Sequence, residues 1–515
     1  MSVSQPDKER RLLPRWQPSQ STIAAGELLP EGSSKPTKAA VSPLPDEHFE
    51  RRLEEWRRDR SIDVAAELVG SALVLGRTTE IEAVARLLTE ADSDVPSTLR
   101  EMAQQALKGP VAHEPQRAPT KPGRLQRPTL YLGISQLRHY LHENPRDAYA
   151  WIDLARLYTV LGQNSKSHRA VQTALAIAPE DRFVLRASAR YLVHVNEPEE
   201  AQRLLLCARA TSSDPWLMAA EISVAQVAER PPRMAAQAQR ALKQGAWTPR
   251  NRSELAGSLG TLLLGEGAVP RARHFFRQSL VDPTENAVAQ AQWAAAKSSG
   301  LIVPVQLLEA PHSHEARALR DQSVGNWNNV IAQCWEWAEY EPTSSRPMIT
   351  GSYVAAISSE DGQTILEFTE RGLASEPRNS ILLNNKAVGL AYLGRLNEAA
   401  EVLLNVAIEA SPFVSRPALY ATKGLILFRS GDLQRGRKFY ERAIAHPYAK
   451  QDRRVQALAV WHLALEETRA GNAEAAQTIE RAERVSKGLK LPEIQTLKER
   501  VTSLVPSAPR RGSQG

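Results

Sequence analysis

The most constraining feature of this 515-residue chain is a spacing of 34 residues that recurs from residue 129 onward. In the clearest unit, counted from residue 148, Trp151, Leu154 and Tyr158 stand at positions 4, 7 and 11. Gly162 at position 15 suits a turn, and Pro179 at position 32 ends a helix. A period of this length predicts repeated pairs of helices, because it is typical of repeat architectures.

The recurring positions explain how the two helices of a unit would pack. Positions 4, 7 and 11 form one apolar stripe along the first helix. Small residues at positions 8 and 20 let the second helix approach closely. Ala155 fills position 8 in the unit at 148, and position 20 is Ser167. One unit leaves its stripes exposed, so neighbouring units must stack and share a core. We therefore predict an all-α fold, an α-solenoid of helix-turn-helix repeats.

The same frame recurs in units that begin at residues 182, 253, 346, 380, 417 and 457, with weaker ones near 216 and 311. In the unit at 417, for example, Gly424, Gly431 and Tyr440 stand in register. This pattern resembles the tetratricopeptide repeat (TPR) superfamily, and the chain looks similar to bacterial scaffold proteins of that type. The resemblance implies a protein that binds other proteins in the concave groove of a superhelix.

Composition agrees with helices and with a cytoplasmic protein. Ala, Leu, Arg, Glu and Gln dominate, whereas β-branched and aromatic residues are sparse. Cys207 and Cys334 are far apart, which fits a reducing compartment and indicates neither a disulfide framework nor a cysteine metal site. The first residues carry charges and prolines where a signal peptide needs apolar residues, and no run of about 18 apolar residues occurs. We expect a soluble protein that does not enter membranes.

Stretches rich in proline or charge divide the chain. We predict, in order, a disordered proline-rich arm over 1–45, a small helical domain over 46–108, a basic proline-rich linker over 109–128, a TPR-like array over 129–284, an irregular helical junction over 285–310, a second array over 311–491, a capping helix over 492–505 and a disordered tail over 506–515. The junction is either a hinge or a degenerate repeat.

A short apolar patch interrupts the arm at Leu12, Leu13 and Trp16. It is either a docking motif or a stray apolar cluster in a flexible tail. The surrounding composition, which contains seven prolines in the first 45 residues, favours the second interpretation.

The sequence contains no recognisable catalytic or phosphate-binding motif, so we predict no enzyme, no cofactor and no metal site. His312, His314 and Glu315 are the nearest candidates for metal ligands, but no further ligands accompany them, and a solvated loop is the simpler interpretation. The tryptophans near them could form an aromatic platform, yet two of them occupy packing positions, as Cys334 does. These are Trp327, Trp335 and Trp337.

The family resemblance implies a groove lined by positions 2, 5, 9, 12 and 13 of each first helix. In the first array these positions indicate Tyr149, Arg156, Phe183, Arg186, Arg190 and His194. In the second array, the residues on or beside the same surface are Asn384, Tyr392, Arg429, Trp461 and Arg469. Three arginines in the first set suit a carboxylate or phosphate, so the expected partner is an acidic or carboxylate-bearing protein segment. A solvated basic face is the alternative.

Charge leaves a second function open. The net charge of +7 is modest for this length, but residues 109–128 and 429–454 are locally basic. Nucleic-acid binding through such patches is therefore the alternative to a protein-interaction scaffold or adaptor in a bacterial regulatory or defence complex. No base-contacting set of side chains recurs from repeat to repeat, which favours the scaffold. Arg435, Arg437, Lys438 and Arg442 form the main basic run and belong to a second helix.

Overall fold

The computed structural model describes residues 12–19, 45–58, 60, 62–75, 77–90, 95, 97–107, 127–245, 247–298, 300–310 and 312–504. Within these ranges there are 27 α-helices and no β-strand, so the predicted all-α class is confirmed. The predicted arm apart from 12–19 and Pro45, the linker up to residue 126 and the predicted tail lie outside the described residues.

The chain separates into two compact units. The N-terminal unit comprises residues 13–224, and the C-terminal unit comprises the described residues from 225 to 504 together with Leu12. The division falls inside one helix, Pro215–Val227, and the predicted junction at 285–310 lies within the C-terminal unit.

The N-terminal unit contains the helices from α1 to α9 and most of α10. Their bounds are α1 Pro45–Arg58, α2 Ile62–Leu75, α3 Glu82–Glu90, α4 Ser97–Leu107, α5 Arg127–Glu143, α6 Ala148–Val160, α7 Asn164–Ile177, α8 Arg182–His194, α9 Pro198–Cys207 and α10 Pro215–Val227. α1–α4 fall in the predicted small helical domain. Phe49 and Leu68 from this part share a core with Ile134 of α5 and Leu154 of α6, so these helices continue into the first repeat.

Local sequence sets the bounds of the first repeat. The side chain of Asp147 accepts hydrogen bonds from the backbone N–H groups of Tyr149 and Ala150, which caps the start of α6. Gly162 adopts φ 72° in the turn to α7, a conformation that glycine adopts without steric cost. Asp181 caps α8 in the same way, through the N–H of Val184. The predicted helix pair is therefore observed in this unit.

The C-terminal unit contains the remaining helices. Their bounds are α11 Ala235–Gln244, α12 Pro249–Gly265, α13 Val269–Ser279, α14 Glu285–Ala295, α15 Val305–Leu308, α16 His314–Val324, α17 Trp327–Tyr340, α18 Arg346–Ser358, α19 Gly362–Ser375, α20 Ser380–Tyr392, α21 Leu396–Leu404, α22 Arg416–Arg429, α23 Leu433–Ala445, α24 Pro447–Gln451, α25 Arg453–Arg469, α26 Ala475–Ser486 and α27 Pro492–Leu504. Successive helices pair as hairpins, for example α16 with α17, α18 with α19 and α22 with α23.

The hairpin of α22 and α23 shows why small residues recur in the frame. A Cβ atom on Gly424 would lie 2.7 Å from the Tyr440 ring and 3.0 Å from the carbonyl oxygen of Gly436. A Cβ atom on Gly436 would lie 2.6 Å from the ring of Phe428. The two helices therefore touch at positions 8 and 20 of the repeat, as the sequence predicts.

Residues 285–310 form an incomplete repeat. α14 packs against α12 and α16, as the first helix of a repeat does. The side chains of Leu301, Val303 and Leu308 then join the same core, although only the short α15 is helical in this stretch. The stretch for which the sequence left a hinge and a degenerate repeat as alternatives thus packs into a core of the C-terminal unit.

The last helix does more than cover one end of the array. α27 packs against α25 and also contacts α18 and α16. Ile494, Leu497 and Val501 are buried on one side of it and join the largest core cluster among the residues that the structure describes. The predicted capping helix thus lies across first helices that are far apart in sequence. None of the helices in the described ranges combines the length and the hydropathy that crossing a bilayer requires.

Candidate protein-binding surfaces

The aromatic residues predicted for the first groove lie together at the start of α6 and α8. The rings of Tyr149 and Phe183 meet edge to face, with 5.1 Å between their centroids. The Tyr149 hydroxyl donates a hydrogen bond of 2.8 Å to Asp181, and this bond raises the pKa of Tyr149. Both rings are half-buried, so their remaining surface can contact a bound segment.

The arginines predicted for this groove differ in how deeply they are buried. Arg186 is only 9% exposed, its guanidinium lies 4.6 Å from the ring centroid of Trp216, and it donates to the Trp216 carbonyl at 3.4 Å. Burial lowers the pKa of Arg156, and the Asp153 carboxylate opposes that shift. Arg190 and His194 are half-buried near the end of α8. Arg186 is thus mainly structural, whereas Arg190 presents part of its side chain to solvent.

A segment of the N-terminal arm is bound to the same helices. The backbone N–H of Ser19 donates to both carboxylate oxygens of Asp153, at 2.9 and 3.1 Å, and the Ser19 hydroxyl donates to Oδ2 at 2.7 Å. Asp153 lies on α6 and is 4% exposed. The contact joins residues 134 positions apart, and sequence reasoning did not predict it.

The apolar patch of the arm is buried as well. Trp16 is 2% exposed and meets the ring of Tyr191 on α8 edge to face, at 6.0 Å between centroids. Leu13 packs against a cluster that includes Leu185 and Leu217. Of the two interpretations left open by the sequence, docking is the one that the structure shows, and the surface is on the chain itself. We call residues 13–19 the Leu13–Ser19 segment.

Two arginines predicted for the second array belong to an ion network in the C-terminal unit. Arg429 and Arg469 both bind Glu466, at 2.7 and 2.8 Å, and Arg469 also binds Glu360 at 3.0 Å. Arg500 of α27 binds Glu360 at 3.2 Å. The sequence indicated the two first-helix arginines but not the two glutamates or Arg500. A search for acids at neighbouring first-helix positions would have found Glu466.

The other residues predicted for the second array are less accessible. Trp461 is 1% exposed and donates through its indole N–H to the Ser486 hydroxyl at 3.2 Å, so it is a core residue. Asn384 is fully buried and its amide donates to Asn385 at 3.3 Å. Tyr392 is half-buried, with the Arg429 guanidinium 5.8 Å from its ring centroid. Burial raises the pKa of Tyr392. Neither Trp461 nor Asn384 offers its side chain to a partner in this conformation.

The basic run on α23 is largely engaged with acids. Arg437 forms ion pairs with Glu467 and Glu474. The run's other arginines are paired too, Arg435 with Asp432 and Arg442 with Glu409, at 3.3 and 2.9 Å. These pairs neutralise much of the positive charge that an acidic ligand would meet.

The histidine pair at the start of α16 is engaged in local contacts. His312 stacks on Tyr340 with 4.3 Å between ring centroids, and Nδ1 of His314 lies 3.1 Å from the amide oxygen of Gln333. Glu315 binds Arg346 at 2.8 Å. Among the residues that the structure describes, no group of three or more potential ligands could hold a metal ion.

The three tryptophans named above lie in packing contacts. Trp335 stacks on Phe368 at 3.8 Å, and Trp337 is buried with its N–H donated to Glu341 at 2.6 Å. Trp327 donates to Thr496 of α27 at 3.0 Å. Cys334 is buried, and this burial raises the pKa of its thiol. These contacts make the three rings part of the packing rather than a free platform.

An open cleft of about 520 Å³ lies in the N-terminal unit. Glu55, Arg138, Trp151, Lys166 and Arg169 are among the residues that line it. Arg138 is held by Glu55 at 3.0 Å and by Glu67 at 2.9 Å. Polar and apolar side chains both line this solvent-facing cleft, and its charges are partly paired within the chain.

Comparison with known proteins yields similar structures but no close relative. No protein-family model and no curated protein matches the chain. It is similar to the APC/C hetero-tetramer Cut9–Hcn1, with a TM-score of 0.43 and 12% identity over 90% of this chain and 92% of that one. Yeast Tom70 gives 0.32 and 11%, over 89% and 95%. A tetratricopeptide repeat protein from Parabacteroides merdae gives 0.27 and 15%, over 53% and 97%.

These likenesses are weak, so the assignment of architecture rests on the chain's own helices and spacing. The helix pairs, the glycine contact between α22 and α23, and the capped turns around α6 and α7 all agree with the 34-residue frame. The fold is therefore an all-α arrangement of TPR-like helix-turn-helix repeats.

Proposed function

We propose that this chain is a non-enzymatic scaffold or adaptor that binds segments of partner proteins on the first helices of its repeats. The observation that carries the proposal is that these helices already hold two segments of the chain itself. The Leu13–Ser19 segment lies on α6 and α8. Helix α27 lies on α16, α18 and α25. Surfaces of this kind therefore accept both an extended and a helical ligand.

The two modes of binding follow from ordinary recognition physics. A helix binds a groove through an apolar stripe, and Ile494, Leu497 and Val501 of α27 supply one at intervals of three and four residues. An extended segment binds through anchors that enter pockets, as Trp16 does. A chain with several such faces holds a partner at more than one point, which raises the apparent affinity.

We place the partner-binding residues of the first face at Tyr149, Phe183, Arg190 and His194. The aromatic pair offers half-buried apolar surface, and Arg190 offers a guanidinium that suits a carboxylate. An acidic or carboxylate-bearing protein segment is therefore the partner we propose for this face. We further propose that the protein works in the cytoplasm, within a bacterial regulatory or defence complex.

Nucleic-acid binding has less support. Arg435, Arg437 and Arg442 of the basic run on α23 are each paired with an acidic side chain, which reduces the charge that this run offers to phosphates. Salt distinguishes the two functions. The affinity for a nucleic acid should fall steeply between 50 and 200 mM salt, by about 10³-fold or more for several phosphate contacts, whereas a segment held by apolar anchors should respond weakly.

The test is affinity purification of the full-length chain from its native host, with the recovered proteins identified by mass spectrometry. The informative variant is Arg190→Glu, because Arg186 is buried against Trp216 and its reversal would disturb folding. Arg435→Glu on α23 is the matched control for charge reversal. We expect a partner that is lost with Arg190→Glu and kept with Arg435→Glu. A set of partners that is unchanged by Arg190→Glu would reject the assignment of this face.

A further inference from the structure

We propose that α6 and α8 form a recognition site for an extended, tryptophan-bearing peptide, and that the Leu13–Ser19 segment is its resident ligand. A partner segment with the same chemistry would bind by displacing it. The part of the proposal that concerns a partner rests on the scaffold function above, whereas the site itself rests on the contacts of this segment. We call the surface around Asp153 and Tyr191 the α6–α8 face.

The segment contacts the repeats as a peptide ligand would, because it forms no helix or strand of its own. Residues 12–19 have no regular secondary structure. Pro14 and Pro18 fix two backbone φ angles and push Leu13 and Gln17 toward extended conformations. A chain stiffened in this way loses less entropy when it binds.

The three anchors of the segment follow a regular spacing. Leu13, Trp16 and Ser19 are each separated by three residues. An extended polyproline II chain has three residues per turn, so side chains at this spacing fall on one side of it. Each of the three contacts the repeats: Leu13 the cluster around Leu217, Trp16 the ring of Tyr191, and Ser19 the carboxylate of Asp153. The spacing therefore indicates a one-sided ligand.

The tryptophan is the main anchor. Trp16 is 2% exposed and belongs to one apolar cluster with Ile152, Ala187 and Tyr191, which come from α6 and α8. A tryptophan brings a large apolar area into a pocket with few rotatable bonds, which is why this residue dominates many interfaces. A partner segment that competes for this pocket needs an aromatic side chain of similar size.

Asp153 provides the hydrogen-bond acceptor of the site. This carboxylate is 4% exposed, and its oxygens accept hydrogen bonds from both the backbone N–H and the hydroxyl of Ser19. A buried carboxylate needs such donors, because burial without them is costly. The site thus selects a hydrogen-bond donor three residues after the tryptophan and rejects an acid there. This preference differs from that of Arg190, which lies one turn beyond Arg186 on α8 and suits a carboxylate elsewhere on the partner.

The face is formed by helices that pack against each other directly. α6 packs against α7 and α8, and α8 packs against α9. Residues 20–44 join the segment to α1 along the chain, so the segment is covalently attached to the protein that it contacts. An attached ligand competes with a free one through its high effective concentration. An untethered peptide should therefore bind poorly until the resident segment is weakened.

The experiment uses full-length chains and a labelled synthetic peptide that spans residues 10–21, with binding followed by fluorescence anisotropy. Trp16→Ala weakens the resident segment by removing its main anchor. Ser19→Asp weakens it without touching the apolar core, because a second carboxylate would face Asp153. We expect the peptide to bind both variants at least about 10-fold more tightly than the unaltered chain, as release from a tethered competitor predicts.

Two controls make the result specific. The same peptide with alanine in place of tryptophan should not bind. Adding Asp153→Asn to the Ser19→Asp chain should lower its affinity for the peptide, because the carboxylate that accepts the hydrogen bonds of Ser19 is removed. Adding Arg435→Glu on α23 should leave this affinity unchanged.

Trp16→Ala could also disturb the N-terminal unit, which would be seen as faster hydrogen exchange throughout α6–α8. In that case the Ser19→Asp chain decides. Failure of the peptide to bind a folded Ser19→Asp chain more tightly would overturn the proposal.

Partner recovery separates this proposal from the scaffold function. The first outcome is that the peptide binds the Trp16→Ala and Ser19→Asp chains and that these chains recover more of a host protein with a similar segment. In that case both the resident-ligand proposal and the scaffold function hold. If the peptide binds but partner recovery is the same with all chains, the site stands and its use by a partner is rejected. If partners are recovered but the peptide does not bind, the scaffold function stands and the resident-ligand proposal fails.

Discussion

The carboxylate of Glu360 accepts two hydrogen bonds from Nη2 of Arg469, at 3.0 and 3.1 Å. Glu360 lies in the turn between α18 and α19, and Arg469 ends α25, 109 residues further along. Arg429 and Arg500 bind the same carboxylate at 3.4 and 3.2 Å. One side chain thus ties α22, α25 and α27 to that turn. Glu360 also has φ 53°, a left-handed conformation that is costly for a residue with a Cβ atom.

Glu360→Gln should weaken the attachment of α27. The change removes the negative charge that three arginines share, and it leaves them partly buried without that partner. Because the Glu360 side chain is 17% exposed, we expect a loss of about 1–3 kcal/mol, less than for a fully buried pair. Hydrogen exchange of α27 should become faster. The exposed Glu401→Gln provides the control, and equal exchange in the two variants would contradict the network's role.

Leu497→Ala should destabilise the C-terminal unit. Leu497 is fully buried, and its truncation leaves a cavity between α27 and the repeats it contacts. We expect a cost of about 2–5 kcal/mol in the free energy of unfolding. Denaturant unfolding measures it, with Glu499→Ala on the exposed side of the same helix as control. If α27 were only a loosely attached cap, both changes would have the same small effect.

Gly424→Ala should separate α22 from α23. The new methyl group would lie 2.7 Å from the Tyr440 ring and 3.0 Å from a backbone oxygen, so a helix has to move. Overpacking of this kind costs about 1–3 kcal/mol. Gly265→Ala at the end of α12 is the matched control, because no atom lies within 4 Å of its added Cβ. Thermal unfolding should show a lowered midpoint for Gly424→Ala alone, and a midpoint that stays unchanged would argue against close contact at positions 8 and 20.

Acidification should destabilise the C-terminal unit through His462. Burial lowers the pKa of this histidine well below 6.5, so the folded protein keeps it neutral when the unfolded chain becomes protonated. The contribution of the neutral histidine to the free energy of unfolding is complete above pH 6.5. Below pH 6.5 this free energy falls by at most about 1.4 kcal/mol per pH unit for one proton. Unfolding measured between pH 7.5 and 5 should show this slope. His462→Gln should reduce it, whereas a change at the exposed His274 should leave it intact.

Trp461 and Arg190 should behave oppositely, although both were predicted to line a groove. Trp461 is 1% exposed, so Trp461→Ala should cost about 3–5 kcal/mol of stability and leave partner capture per folded molecule unchanged. Arg190→Glu should lower the thermal midpoint less than Trp461→Ala does, because Arg190 is half-buried rather than buried, and it should reduce partner capture. Unfolding curves and pull-down from the host, measured on the same preparations, distinguish the two. If the Trp461→Ala protein were stable but no longer captured the partner, Trp461 would belong to the binding surface after all.

The sequence predicted the repeat architecture because its signals are local and periodic. Gly162 in a turn and Gly424 facing the second helix each act within one unit, and small residues recur at the same positions in other units. A signal that repeats every 34 residues can be detected without knowledge of the remote contacts. The helix pairs were therefore predictable, whereas the frame left residues 285–310 open as a hinge or a degenerate repeat.

The repeat frame gave less information about which of the predicted groove residues are exposed. The frame gives the direction of a side chain on its own helix but not what lies opposite it. Arg186 meets Trp216, Trp461 meets Ser486, and Asn384 turns into the core beside Asn385. Each of these partners belongs to another helix or to the interior, so exposure depended on packing between repeats.

By itself, the sequence determined that this chain forms paired helices that stack, because the energy of each pair comes from residues close together along the chain. Only the tertiary structure decided which segments cover those helices. Ser19 meets Asp153 across 134 residues, and Arg500 meets Glu360 across 140. Such contacts depend on where a distant segment comes to lie in space, and no repeat spacing encodes that position. The chain's own segments thereby occupy faces that the repeat pattern alone would leave open to a partner.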